Sequence, residues 1–345
     1  MMTAPIPVLI NVARPRDESD PVALAQRSLA AGLDGIGLAE SPRLFPDALI
    51  ETERVLSSTD SALAGPCVLS MGLRHPVTVA NAITTLESHH PGRVLAVVGR
   101  GESSVRNEGM SPPKLADYEQ SLRQLRQHVS EQAPSTSSSK GTSAATSAVT
   151  SPLLVGAASG PQTIAMTART LDAVMIDVGA DLDTLHKAVD VARQASSATK
   201  IWVFVRATLT DTDAAATAAA LPLLGSCAAR LRASPEWYGI PPEELAAVAA
   251  VAAAHDYRRH GTAAARAGAS VNPQADALVR ERFIITGGHK QLEDFMRGLA
   301  AIGVDGVMLA GGLEGVLERL DELTSAIRMG LSEPPTLDLG AREAR

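Results

Sequence analysis

From Pro7 to Leu309, short apolar runs alternate with helix-length stretches almost without a break, and this restricts the fold more than any other feature of the chain. The runs are Pro7 to Val12, Ile36 to Ala39, Cys67 to Ser70, Val94 to Val98, Leu153 to Ala157, Val174 to Val178, Ile201 to Ala207 and Val307 to Leu309. Each is of strand length and continuously apolar, so it needs cover on both faces, which parallel strands joined by helices provide. Eight such units predict an α/β protein built as a closed (β/α)8 TIM barrel rather than an open doubly wound sheet.

The joints between units repeat. Asp20-Pro21 opens a helix predicted to run through Ala31, and Gly32-Leu33-Asp34-Gly35 turns it into the next strand. The same joint recurs at Ile302-Gly303-Val304-Asp305-Gly306, and more loosely at Leu171-Asp172-Ala173. Two regions interrupt the pattern. Residues 131–151 are almost all Ser, Thr, Ala and Gly, too poor in apolar bulk to offset ordering, and are expected to form a flexible insertion before strand 5. Between Leu209 and about Arg282, alanine and other helix formers predict a helical insertion after strand 7. The expected organisation is one domain over residues 1–330, with a loose tail at 331–345.

Composition narrows the function classes. The formal charge of −7 and the lack of dense Lys/Arg tracts argue against nucleic-acid binding. Cys67 and Cys227 lie far apart in no Cys-x-x-Cys pattern, so neither a disulfide framework nor a zinc site is indicated, and a reduced cytoplasmic protein is expected. No apolar run reads as approaching the roughly 18 residues that a membrane span needs. The eight histidines form no ligand set, because the neighbours His89 and His90 are expected on different helix faces and His255 and His260 lie five apart. No metal site is expected.

The run from Gly65 to Ser104 carries most of the chemistry. It holds the strand ending Cys67-Val68-Leu69-Ser70, the corner Arg74-His75-Pro76, a helix ending Thr85-Leu86-Glu87, the turn Pro91-Gly92-Arg93, and Gly99-Arg100-Gly101-Glu102-Ser103-Ser104 after the next strand. The last segment lacks the third glycine of G-x-G-x-x-G and does not read as opening a helix, so a dinucleotide fingerprint is rejected. In order and spacing the set resembles the luciferase-like flavin and deazaflavin oxidoreductases, especially the methylene-tetrahydromethanopterin reductase branch that uses coenzyme F420.

The resemblance implies the same barrel and a cofactor at the strand C-termini. It makes Glu102 the candidate proton donor, with Glu40 at the end of strand 2 as a second candidate acid, although Ser41 stands where many relatives carry a histidine. It places a non-prolyl cis peptide at Cys67-Val68, against the cofactor ring, with Ser70, Gly101, Ser103 and Ser104 beside it. It assigns the cofactor's phosphate to the loop Gly156, Ala157, Ala158, Ser159, Gly160 and Gln162, where small residues and a helix N-terminus also suit an anion on physical grounds. The cofactor it favours is F420, transferring hydride to or from a small organic substrate, and homodimers are common among such relatives. An FMN-dependent monooxygenase and a non-catalytic ligand-binding relative stay open as alternatives.

Overall fold

The computed structural model describes residues 5–13, 15, 20–132, 151–259, 272–311 and 316–332. Its elements are β1 (Val8–Val12), α1 (Pro21–Ala30), β2 (Gly35–Leu38), α2 (Ala48–Ser57), β3 (Leu63–Ser70), α3 (Pro76–His89), β4 (Leu95–Gly99), α4 (Glu102–Asn107) and α5 (Leu115–Gln132). They continue as β5 (Leu153–Ala158), α6 (Pro161–Thr170), β6 (Ala173–Ile176), α7 (Leu182–Ala195), β7 (Lys200–Leu209), α8 (Asp213–Ala233) and α9 (Leu245–Ala253). The last are α10 (Pro273–Phe283), β8 (Ile284–Gly287), α11 (His289–Ile302), β9 (Gly306–Ala310) and α12 (Leu320–Ser332).

Strands β1 to β7 pair in sequence order and in parallel, and β9 pairs with both β7 and β1, which closes an eight-stranded barrel. Leu9, Cys67, Leu95, Val97, Val155, Met175, Trp202 and Met308 fill its interior. A second apolar layer, including Ile10, Ile36, Ile83, Leu122, Ile164 and Leu299, lies between the strands and the surrounding helices. Burial on both faces is why the strands read as unbroken apolar runs.

The recurring joint has one physical job. Asp34 Oδ2 accepts the N–H of Val8 at 2.6 Å, Asp172 Oδ2 that of Leu154 at 3.3 Å, and Asp305 Oδ2 that of Ile201 at 2.7 Å. Each aspartate precedes one strand and satisfies an amide at the start of its neighbour, an end that the ladder leaves unpaired. Arg328 of α12 then donates to the carbonyls of Ile6 and Gly32 and to Asp34, tying the last helix to the first two strands.

Three expectations need correction. The barrel carries a ninth strand: β8 pairs with Arg206 to Leu209, the part of β7 that overhangs the rim beyond its pairing with β9. Its short run Ile284-Ile285-Thr286-Gly287 follows a helix without a turn signal, so it reads as a helix end. Residues 131 and 132 belong to α5 rather than to an insertion, and 133–150 lie outside the described residues, as does the tail beyond 332. Finally, α8 is 21 residues long and, by length and composition alone, apolar enough to cross a membrane, contrary to the expectation that no run is. Here it packs on α9 and α10, and its buried side includes Ala216, Ala220, Leu224, Cys227 and Leu231. The expected helical insertion after β7 is thus α8, α9, α10 and the short turns Pro242–Glu244 and Tyr257–Arg259.

Candidate active site at the strand C-termini

The mouth of the barrel collects the polar groups. At its centre the Cys67–Val68 peptide is cis, as the resemblance implies, and it coincides with a register shift between β3 and β4. Asn11, the inward residue near the end of β1, donates from Nδ2 to the Cys67 carbonyl at 2.6 Å. Burial pushes the Cys67 thiol pKa well up, with the negative charge of Asp177 adding to it, so this sulfur is no thiolate nucleophile. The residues around Val68 are small: a Cβ on Gly99 would stand 2.5 Å from Val68 Cγ1, and Ala157 packs on the same interior cluster.

Glu102 is the first residue of α4, which corrects the expectation that no helix follows Gly101. Gly101 makes the turn. It has φ +78°, and a Cβ there would lie 1.8 Å from Ser70 Oγ, so only glycine lets α4 start so close to β3. The helix is short and is held by tertiary contacts, including Asn107 Nδ2 to Ser41 Oγ at 3.2 Å, which its own sequence does not announce. Glu102 is half exposed at the rim and pairs with Arg106 at 2.6 Å. Ser104 is buried under the Gly101 turn, and Ser103 is partly exposed beside Glu102.

Glu40 has a different setting. Its buried carboxylate accepts the Ser70 N–H at 2.7 Å and Arg74 Nε at 2.5 Å, and Arg74 also reaches Asp47 at 2.5 Å. Both Glu40 oxygens are therefore committed to holding the end of β3. His75 is the N-cap of α3, accepting the Val77 N–H on Nδ1. Ser70 Oγ is buried with no hydrogen-bond partner among the described residues.

The predicted phosphate loop divides in two. Gly156 and Ala158 turn away from the mouth: a Cβ at Gly156 would meet Thr167 Cγ2 at 2.2 Å, and Ala158 belongs to the layer under the helices. Gly156 is small so that α6 can pack on β5. Ser159, Gly160 and Gln162 are accessible, Gly160 is the N-cap of α6 with no side-chain cap, and nothing lies within 4 Å of a Cβ built on it. The first turn of α6 thus has no side-chain cap and open space beside its N-cap, an arrangement that suits an anion.

A cluster that sequence reasoning missed completes the mouth. Asp177, just past β6, takes a two-pronged pair from Arg206 of β7 at 2.6 and 2.9 Å and a third contact from Arg230 of α8 at 2.7 Å. Burial works against the Asp177 carboxylate, but the two arginines outweigh it and hold its pKa below the ordinary value. Arg206 stacks on Phe204 and Phe283. Arg206 sits on the β7 overhang made by β8, so the missed strand also hid this residue. The turn at Tyr257 packs on α4, with Arg106 over the Tyr257 ring, and brings the far end of the helical insertion to Glu102.

At the opposite end of the barrel the histidine expectation is corrected. His89 and His90 both approach Glu53, their ligand atoms lying within 4.8 Å of one another, because His90 is already past the end of α3 and its direction is no longer set by helix geometry. Arg93 Nη2 donates to His90 Nδ1 at 3.0 Å, and His90 Nε2 meets Glu53 at 3.0 Å, so both ring nitrogens are engaged in a polar clasp.

A closed parallel barrel with its polar groups gathered on the C-terminal rim belongs to the (β/α)8 class. The model for the luciferase-like monooxygenase family matches residues 12–306, and the chain belongs to that family. No curated protein sequence matches the chain. Among solved structures, it is similar to the coenzyme F420-dependent tetrahydromethanopterin reductase from Methanopyrus kandleri, with TM-score 0.66, 15% identity and coverage of 96% of this chain and 98% of that one. It is also similar to an F420-dependent secondary alcohol dehydrogenase in complex with an F420–acetone adduct, with TM-score 0.61, 17% identity and coverage of 94% and 99%. A third is the EDTA monooxygenase from Chelativorans sp. BNC1, with TM-score 0.60, 13% identity and coverage of 94% of each chain. These likenesses concern the fold.

Proposed function

We propose that this protein is an oxidoreductase that binds coenzyme F420 in the barrel mouth and transfers hydride to or from a small organic substrate. The observation that carries the reading is a carboxyl group beside an anion seat on one rim: Glu102 follows β4, and the uncapped N-terminus of α6 follows the adjoining strand β5. The residues present fit a flavin-type group. The first-turn amides of α6 and the open space at Gly160 suit its phosphate, and the missing side chain at Gly99 makes way for Val68 at the cis peptide. Ser70 Oγ is buried beside the Gly101 turn and has no hydrogen-bond partner among the described residues.

When bound, F420 supplies a two-electron hydride carrier that reacts poorly with oxygen. The chain's own part is to orient, to exclude water and to move a proton. Asn11 fixes the Cys67–Val68 peptide under the ring position, and Glu40 with Arg74 fixes the end of β3. Glu102 gives or takes the proton that accompanies hydride transfer, while Arg106 keeps its carboxylate on the rim. The insertion after β7 shields this side from water through the contact of the Tyr257 turn with α4.

Fluorescence and absorbance titrations with F420 and with FMN test the assignment. F420 is expected to bind at least tenfold more tightly than FMN. The reverse order transfers the reading to an FMN-dependent monooxygenase, and binding of neither leaves a ligand-binding relative without this chemistry.

A further inference from the structure

The charge in the barrel mouth is unbalanced in a way the proposed reaction does not use. Asp177 is one carboxylate between two arginines. Arg206 already matches it oxygen for oxygen, so Arg230 is a surplus cation. The 2.7 Å contact from Arg230 Nη2 to Asp177 Oδ2 fixes the guanidinium plane. That leaves Nη1 buried with no acceptor among the described residues, although the side chain as a whole is 32% exposed. A charged donor kept from water and left unpaired is costly, and such groups are normally matched.

Its surroundings favour an oxyanion. The adjoining walls are aromatic, with Phe204 and Phe283 against Arg206 and Tyr238 tilted against Phe283, so an ion pair formed there is weakly screened. A guanidinium recognises carboxylate better than any neutral polar group does. Arg230 belongs to α8, which forms the first part of the insertion over the mouth. The Tyr257 phenol responds to Glu102, Arg106 and Arg230 together: burial and Glu102 push its pKa up, and the arginines oppose them. Through Asp177, just past β6, Arg230 is tied to the C-terminal rim of the barrel.

We propose that Arg230, steadied by Asp177, binds the carboxylate of an organic-acid substrate. The inference rests on reading the mouth as the cofactor and substrate site. The cofactor's own anion is assigned to the first turn of α6, a different element, which leaves Arg230 for the substrate. The two seats are neighbours, since the Tyr238 hydroxyl donates to the Ser159 carbonyl at 3.3 Å, so the test must separate them.

Succinate serves as the probe and its diamide as the uncharged control, each titrated against wild type, Arg230→Met and Arg230→Lys, with and without F420. Thermal melting and cofactor fluorescence are read in parallel. Succinate is expected to stabilise the wild type and the diamide not to. Arg230→Met should weaken the succinate response at least tenfold, Arg230→Lys should restore it to within about threefold, and F420 affinity should change less than twofold. An equal succinate response in wild type and Arg230→Met, or none in wild type, overturns the proposal. A tenfold loss of F420 affinity in Arg230→Met with the succinate response intact also overturns it, by moving the arginine to the cofactor's tail. If wild type binds neither F420 nor FMN, the reading of the mouth as a flavin-type site fails, and the succinate series on the cofactor-free protein still decides the role of Arg230.

Discussion

The two acids singled out in the sequence sit in opposite environments, and their substitution should separate them. Glu102 is half exposed and, among the described residues, is paired within its own helix, so Glu102→Gln is expected to keep the fold and cofactor affinity while lowering turnover by about 10²–10⁴, the range for losing a general acid. Glu40→Gln should instead cost about 1–3 kcal/mol of stability, because Arg74 Nε loses its charged acceptor in a buried setting. Urea unfolding and steady-state rates on the two variants check both. Asp177 makes a pH prediction. Its pKa is lowered in the folded protein, so its contribution is fully present above the ordinary carboxylate value of about 3.9 and is lost as pH falls through the lower folded value. Asp177→Asn should cost about 3–5 kcal/mol at pH 7 by leaving buried Arg206 without its counter-charge, and the gap to wild type should close in urea melts below about pH 4.

Among the elements, α6 offers the sharpest contrast, because two of its glycine neighbours face opposite ways. Gly160→Asp puts a negative charge at an uncapped helix N-terminus with room to spare, so the helix should survive or gain slightly while cofactor affinity drops by about tenfold or more, most strongly at low salt. Gly156→Val points into Thr167 and should lower stability by about 1–3 kcal/mol through overpacking, with its effect on cofactor binding only as large as the displacement of α6. Fluorescence titration at two salt concentrations and denaturant melts distinguish these outcomes. Wild-type affinity in Gly160→Asp at low salt would remove the cofactor's phosphate from this loop.

For the molecule as a whole, closure depends on joining the end of the chain to its beginning. β9 pairs with β1, and Arg328 of α12 donates to Ile6, Gly32 and Asp34, where Asp34 in turn holds the first amide of β1. Arg328→Met is expected to lower unfolding stability by about 2–3 kcal/mol, since several charge-assisted bonds are lost at a half-covered site. An unchanged urea slope would show that the barrel still closes and is merely weaker.

The barrel was legible in the sequence because its strands are buried on both faces, and that forces short apolar runs at regular intervals along the chain. The repeating turn with Asp34 and Asp305 was legible for a related reason: each aspartate serves the amide of a neighbouring strand at a fixed place in the repeat. Local geometry could also be read at the opening of α6 and at the His75 corner, where the deciding residues adjoin in the chain. What tertiary structure alone decided is which groups meet across distance. Glu40 reads as a free acid until Arg74, 34 residues on, takes it. Gly156 reads as a phosphate contact until Thr167 packs over it, and α4 exists only because Ser70 and Ser41 receive it. The Asp177, Arg206 and Arg230 cluster spans three elements and a strand with no turn signal, so no spacing rule reveals it. Periodicity records which face a residue turns to its own element, whereas the partner of a charge is fixed only when separate elements close around it.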